Sequence, residues 1–259
     1  MITTPRLMRA LVSSLALSAL LPSVVAAAEL DGILAKGADA LLVEADKRQY
    51  GQSTQHWTFR MTVKAPGSEP RPVELEVWQK DRVKRLVRFT APGEVKGLAM
   101  LSDGPSAMYV YSPQTDNVRR VAAHAERQTL LGSNFGYSDM AATDLSLLYR
   151  AEVGEATGTH QWLVLTKKDG ADAEWQKLKV RIDKDKVMID RIEYLEGDKV
   201  VRVQERTGFE VIGNYGAYRK VSMKTLGSGL ETTMEMLSQE IGIPLDDGIF
   251  KKRNLVRGP

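Results

Sequence analysis

The chain has 259 residues, no cysteine, and 36 basic against 33 acidic residues, which gives a net charge of +3. The lack of cysteine excludes thiol catalysis, disulfide exchange and cysteine-based metal sites. A charge balance so close to neutrality gives no reason to expect a nucleic-acid partner.

The first 28 residues have the pattern of a secretory signal peptide. Arg6 and Arg9 precede an apolar stretch over 10–21, which is followed by Pro22 and the small residues 26–28. The alternative is an uncleaved anchor, but this stretch is shorter than the ~20 apolar residues that span a bilayer, and serines interrupt it. We therefore expect cleavage near Ala28, a periplasmic location, and a single domain over residues 29–259.

After residue 28, the apolar residues first recur at the spacing of a helix and then at the spacing of strands. Apolar residues from Leu30 to Ala45 recur every three or four positions and predict one amphipathic helix that Asp31 caps and Gly51 ends. After this helix, alternation with period two predicts about 10–11 strands. Their predicted ranges are 55–64, 73–80, 83–90, 98–102, 108–111, 160–167, 175–183, 187–196, 199–207, 218–226 and 231–239.

The strand pattern lapses between residues 122 and 150. There, Ser138 and Asp139 followed by apolar positions up to Tyr149 predict a capped helix, and the chain is expected to end in a loop that carries Phe250 and Leu255. We expect an α+β fold, mainly β. A wide twisted sheet must close or have its apolar face covered, and only the N-terminal helix and the 122–150 insert can cover it.

No catalytic or cofactor motif stands out. His56, His124 and His160 lie far apart and at no metal-ligand spacing, and the carboxylate pairs fall at predicted turns. Ser133 directly follows Gly132, so the G-x-S-x-G spacing of a nucleophile elbow is not met. We expect a non-enzymatic protein without cofactor or metal. A site that combines Ser133 with His124 stays open as an alternative, because partners can converge in space.

Four segments resemble the outer-membrane lipoprotein-sorting family, a periplasmic group similar to the lipoprotein carrier LolA. They are residues 87–101 (VRFTAPGEVKGLAML), 108–113 with 118–121, 131–140 (LGSNFGYSDM), and 250–255. One departure is Asn134, where relatives usually carry aspartate. The resemblance implies an open antiparallel half-barrel wrapped around a helical lid, as in LolA and LolB. It also implies a monomer that holds lipid or lipoprotein acyl chains, and an inner-membrane RND-type exporter as partner.

A carrier of acyl chains needs apolar surface and no nucleophile, and it gains ~0.8 kcal/mol per CH₂ removed from water. Because a cavity wall and a packed core share the same alternation, each predicted lining residue could also be plain core. The predicted lining is Trp57, Phe59, Met61, Leu75, Val77, Phe89, Met100, Leu101, Tyr109, Tyr111, Met234 and Met236.

Two further groups of residues are singled out. Arg119 and Arg120 could meet a lipid headgroup or a partner's carboxylates, and on one strand they point to opposite faces. The expected lid motif consists of Gly132, Ser133, Phe135, Tyr137 and Asp139, with Asp139 as a helix cap. The competing function is a periplasmic sensor or adaptor that uses the same fold to bind a domain of a membrane protein.

Overall fold

The computed structural model describes residues 22–51, 54–104, 108–121, 129–141 and 144–258. The N-terminal apolar stretch and His124 therefore lie outside the described residues. The helices are α1 Pro22–Leu34, α2 Ala38–Tyr50, α3 Tyr137–Met140, α4 Leu145–Leu148 and α5 Lys252–Arg257, with a 3-10 helix at Asp247–Phe250. The strands are β1 Gln55–Lys64, β2 Arg71–Lys80, β3 Lys84–Ala91, β4 Ala99–Asp103, β5 Met108–Ser112, β6 Asn117–Arg120, β7 Tyr149–Ala156, β8 His160–Lys167, β9 Lys177–Asp183, β10 Met188–Glu196, β11 Lys199–Ile212, β12 Tyr215–Thr225 and β13 Glu231–Ile241.

All these strands form one antiparallel sheet, in the order β6-β5-β4-β3-β2-β1-β13-β12-β11-β10-β9-β8-β7. The first and last strands of the chain meet at its centre, where Trp57 of β1 lies between Val77 of β2 and Gln239 of β13. The sheet is open, because β6 and β7 are its two edges. The described parts of the chain between them, residues 129–141 and 144–148, pack on one face of the sheet. The predicted open, mainly antiparallel β fold is confirmed.

The edge strands β6 and β7 were not predicted. Most of their residues are exposed, since an edge strand has a neighbour on one side only. Period-two alternation depends on one buried face, so it is weak in both segments. Tyr149, which the sequence placed in a helix, is the first residue of β7.

Three helix predictions need correction. The single helix over 30–45 is two helices, because Gly37 adopts φ 112° between them, and Asp31 lies inside α1 and does not cap it. Gly51 ends α2 as expected. In the insert the predicted helix is two separate single turns, α3 and α4. The predicted terminal loop is a 3-10 helix followed by α5.

The sheet has an inner face, which the helices and the insert cover, and an outer face. On the inner face, Leu41 and Leu42 of α2 pack on β8–β10, while Phe135 and Met140 of the insert pack on β1–β5, β12 and β13. On the outer face, the C-terminal segment covers β2–β5 with Phe250 and Leu255. The inner face therefore carries two separate apolar clusters, and the candidate site lies where they meet.

Candidate ligand cavity

A cavity of about 290 Å³ lies between the two inner-face clusters. Its volume is at the lower end of the ~300–1,000 Å³ typical of ligand pockets. The apolar part of its wall comes from the sheet and from the insert, with aromatic and methionine side chains prominent. These residues include Trp57, Phe59, Val77, Val87, Phe135, Met140, Leu145, Leu148, Leu178, Ile189, Ile192, Ala217, Val221, Met234 and Met236.

Five of the predicted lining residues border this cavity: Trp57, Phe59, Val77, Met234 and Met236. Four others lie on the inner face but do not reach it. These four are packed in the adjoining core with at most 2% exposure, and they are Met61, Leu75, Phe89 and Met100. The same strand face therefore supplies both cavity wall and solid core.

The remaining three predictions, Leu101, Tyr109 and Tyr111, are wrong as inner-face residues. They lie on the outer face, among the residues that the C-terminal segment covers. Their neighbours Met100 and Val110 point to the inner face instead. Both faces of β4 and β5 are apolar because both are covered, so alternation could not tell which residues face inwards.

Polar groups from α2 and the insert gather at one end of the cavity. Asp46 of α2 is 1% exposed and accepts a hydrogen bond from the backbone N of Ser146 at 2.8 Å. Burial raises the pKa of Asp46 from 3.8 to about 6, and the nearby Asp144 carboxylate adds to the shift. Arg206 reaches the same wall and donates to Gln49 at 3.3 Å and to the Ile189 carbonyl at 2.9 Å.

We expect the stability of the protein to fall between about pH 4 and pH 6 on account of Asp46. The folded chain holds the proton of this carboxyl up to a higher pH than the unfolded chain does, so its contribution is full below pH 3.8 and lost above about pH 6. Between these two pH values the free energy of unfolding falls by about 3 kcal/mol. Asp46→Asn should remove this dependence and raise the free energy of unfolding at pH 7.5 by about 1–3 kcal/mol.

Urea unfolding of both proteins at pH 4.5 and 7.5 measures this effect. The matched control is Asp172→Asn, because Asp172 also borders the cavity but is exposed. An equal pH dependence in the wild type and in Asp46→Asn would contradict the assignment.

Three buried polar atoms at the cavity wall have no hydrogen-bond partner among the described residues. They are Nε1 of Trp175, the hydroxyl of Tyr218 and Oε1 of Gln239. A buried polar group without a partner costs about 1–3 kcal/mol, so each of these atoms lowers the stability of the cavity wall. None of these three atoms was predicted, because the sequence pattern placed Trp175 and Tyr218 in strands and indicated nothing more about them.

The insert is fixed to the sheet by a buried ion pair. Arg202 of β11 donates to both carboxylate oxygens of Asp139, at 2.9 and 3.1 Å, and to the carbonyl of Asn134 at 3.2 Å. Its guanidinium lies over the ring of Tyr194, 4.1 Å from the centroid. Asp139 also accepts from the backbone N of Gly136 at 2.7 Å, so it caps α3 from its third residue and does not precede the helix as expected. The Arg202 partner was not predicted.

Asn134 joins the insert to the turn between β12 and β13. Its side-chain amide donates to Thr225 at 2.7 Å and to the Leu230 carbonyl at 3.2 Å, and its side-chain oxygen accepts from Thr232 at 2.9 Å. An ionised aspartate at this position has no N–H and could not make the first two bonds. The asparagine therefore fits this chain's own contacts.

Ser133, which was considered for hydrolysis, and the two described histidines make structural contacts. Ser133 is fully buried, and its hydroxyl bonds both the N and the O of Phe135 across the turn at Gly132. His56 lies against Trp78 with the rings stacked at 4.9 Å. His160 bonds Asp190 at 3.0 Å. Ser133 is thus a turn residue, as its spacing indicated.

Arg119 and Arg120 point to opposite faces of β6. Arg119 lies 5.9 Å from the ring centroid of Tyr137 in the insert, so it meets an aromatic face. Arg120 lies beside Lys252 and Arg253 of the C-terminal segment. Neither arginine borders the cavity.

One group of described residues has the composition of a cation site: His160, Asp183 and Asp190 place ligand atoms within 4.8 Å of one another. Asp190 is bound by Arg181 at 2.8 Å, and Asp183 pairs with Lys186. The carboxylate charges are therefore already matched by cations of the chain. This arrangement is an ion-pair network on the sheet.

The cavity reaches a gap between β12 and β13. These strands pair only from Lys220, opposite Glu235, to Lys224, opposite Glu231. Beyond Lys220, among the described strands, β12 pairs with β11 alone and β13 with β1 alone. Tyr215, Gly216 and Ala217 on one side of the gap and Gln239 on the other border the cavity.

Comparison with known proteins identifies the family. The model of a protein family described as "Uncharacterized protein" matches residues 81–257, which is more than half of the chain. The chain belongs to this family. None of the curated proteins compared with it matches.

Three solved structures share the fold over most of their length. A domain from Vibrio parahaemolyticus named for outer membrane lipoprotein sorting is 20% identical, with a TM-score of 0.75 over 86% of this chain and 100% of that one. A DUF1329 family protein from Desulfovibrio piger is 19% identical, with a TM-score of 0.76 over 85% and 98%. A LolA superfamily protein from Nitrosomonas europaea is 19% identical, with a TM-score of 0.71 over 83% and 98%. The predicted LolA-like fold is confirmed.

Among the helices of the described residues, none is both long enough and apolar enough to cross a membrane.

Proposed function

We propose that this chain is a periplasmic carrier that holds a lipid or the acyl chains of a lipoprotein in the inner-face cavity and transfers them between membrane components. The observation that carries the proposal is the cavity itself, which lies between a LolA-like sheet and its covering helices and is walled by aromatic and methionine side chains. Methionine adapts its shape to varied apolar ligands. An inner-membrane RND-type exporter is the proposed partner, and the carrier acts as a monomer.

The energetics suit a reversible carrier. Burying an acyl chain gains ~0.8 kcal/mol per CH₂, so a chain of about a dozen carbons gains several kcal/mol. The cavity has a volume of about 290 Å³. This volume suits one acyl chain at a time.

The burial of the residues around Ala28 is compatible with cleavage of a signal peptide at this position. Ala28 and Glu29 are exposed, whereas Leu30 is fully buried in the cluster that α2 forms with the sheet. Cleavage after Ala28 would therefore remove the signal peptide and keep the first core contact of the chain.

A carboxylate placed in the cavity wall tests the proposal. Val77 is 6% exposed and borders the cavity, whereas Leu75, two residues earlier on the same face, is 0% exposed and does not reach it. We expect Val77→Asp to abolish binding of a fluorescent fatty acid while the protein stays folded, because the new charge meets the cavity and any water it holds. Leu75→Asp should unfold the protein, because its charge has no access to water.

Fluorescence titration and circular dichroism measure these two effects. Fatty-acid binding by Val77→Asp at wild-type affinity would contradict the proposal, and so would unfolding of both variants.

A further inference from the structure

The outer half of the β11–β12 hairpin is not paired with the neighbouring strands, although Ile212 and Ala217 still pack against an inner-face cluster. Pairing of β11 with β10 ends at Glu205, and pairing of β12 with β13 begins at Lys220. Among the described strands, Thr207 pairs with Lys220 and residues 209–218 pair only with each other. The two-residue turn Gly213-Asn214 joins the two strands, with Gly213 at φ 61°. At ~3.4 Å per residue this arm reaches about 20 Å. We call residues 207–218 the hairpin tip.

The hairpin tip exposes large apolar side chains. Val211 is 65% exposed, and Phe209 and Tyr215 are each 36% exposed. Its only charged residue is Glu210, which pairs with Arg219 at 2.5 Å. The tip can therefore enter an apolar phase without taking an unpaired charge with it.

The border of the hairpin tip has the residues of a membrane interface. Lys186 lies 5.2 Å from the ring centroid of Phe209, on the side of the tip nearest the sheet. Aromatic rings flanked by lysine are typical of segments that rest at the headgroup level of a bilayer. Tyr215 belongs both to the tip and to the cavity wall, and Leu237 is 42% exposed on the β13 side of the gap.

We infer that the hairpin tip docks on a lipid bilayer and so holds the gap between β12 and β13 against the membrane surface. This inference rests on the proposed function and extends it, because cargo could then pass from the bilayer to the cavity without crossing water. Because the tip has one charge and that charge is paired, apolar area drives the docking. Docking therefore takes place on zwitterionic lipid and is insensitive to salt.

Flotation with phosphatidylcholine vesicles tests this inference on the processed chain. Val211→Asp should bind the vesicles about tenfold more weakly, because it removes apolar area and adds a charge, and Val211→Trp should bind more tightly. The matched control is Val153→Asp, since Val153 is 57% exposed on the edge strand β7, and it should bind like the wild type. Circular dichroism verifies that each variant is folded.

Two outcomes overturn the docking: flotation of Val211→Asp equal to that of the wild type, or wild-type binding that disappears at high salt. A parallel titration with a fluorescent fatty acid in solution separates this inference from the carrier function. If the protein takes up fatty acid and Val211→Asp floats like the wild type, the docking inference is wrong and the carrier function stands. If vesicle binding depends on Val211 but the protein takes up no fatty acid, the carrier function is wrong and the docking inference stands.

Discussion

A disulfide across the gap between β12 and β13 is expected to stop exchange of cargo. In the Tyr218→Cys/Leu237→Cys double variant, the new cysteines occupy positions that would face each other if the β12–β13 pairing continued past Lys220 and Glu235. Oxidation would draw the two strands together and close the entrance that we assign to the cavity. The rate at which the protein exchanges a bound fluorescent fatty acid should then fall by about tenfold or more.

The control for this cross-link is the Ser222→Cys/Thr233→Cys variant. Ser222 and Thr233 are already paired, so a disulfide there leaves the gap as it is. The chain has no cysteine of its own, so each variant can form one disulfide only. Reduction should restore exchange in the first variant and change nothing in the second. Equal exchange rates in the oxidised and reduced first variant would place the entrance elsewhere.

Loss of the Asp139 carboxylate is expected to lower the stability of the protein strongly. Arg202 and Asp139 have side chains only 9% and 12% exposed, and the pair holds the insert on β11. Asp139→Asn leaves the Arg202 charge buried without its counter-ion, which should lower the free energy of unfolding by about 3–5 kcal/mol. Urea unfolding measures the loss, and hydrogen exchange should locate it in residues 129–141.

Two comparisons isolate the ion pair. The double variant Arg202→Met/Asp139→Asn removes both charges and should be more stable than Asp139→Asn alone. Glu74→Gln breaks the exposed Arg60–Glu74 pair at 2.9 Å and should cost at most about 1 kcal/mol. If Asp139→Asn cost no more than Glu74→Gln, the ion pair would not be what fixes the insert.

The parts of the fold that were predictable have one buried and one solvated face. Strand β1 is the best example, since Trp57 and Met61 are buried and alternate with polar neighbours. Prediction failed where this condition does not hold. The edge strands β6 and β7 are mostly exposed, and β4 and β5 are covered on both faces, so Leu101 was assigned to the wrong side.

The candidate site was predictable only in its apolar part. Trp57 and Met236 follow from strand alternation, whereas Asp46, Trp175 and Arg206 come from elements far apart in the chain. Nothing in local spacing brings those three together. The gap between β12 and β13 depends on where strand pairing stops, which the alternation of either strand does not encode.

The most direct test of the carrier function is to measure the mass of the protein as it is isolated from the cell. We would purify the processed chain from the periplasm without detergent, record its native mass spectrum, and extract and analyse any lipid. The carrier account predicts a stoichiometric adduct that extracts as a lipid or an acylated peptide. A bare mass, with no uptake of added phospholipid or acylated peptide, would contradict it and favour the sensor or adaptor function.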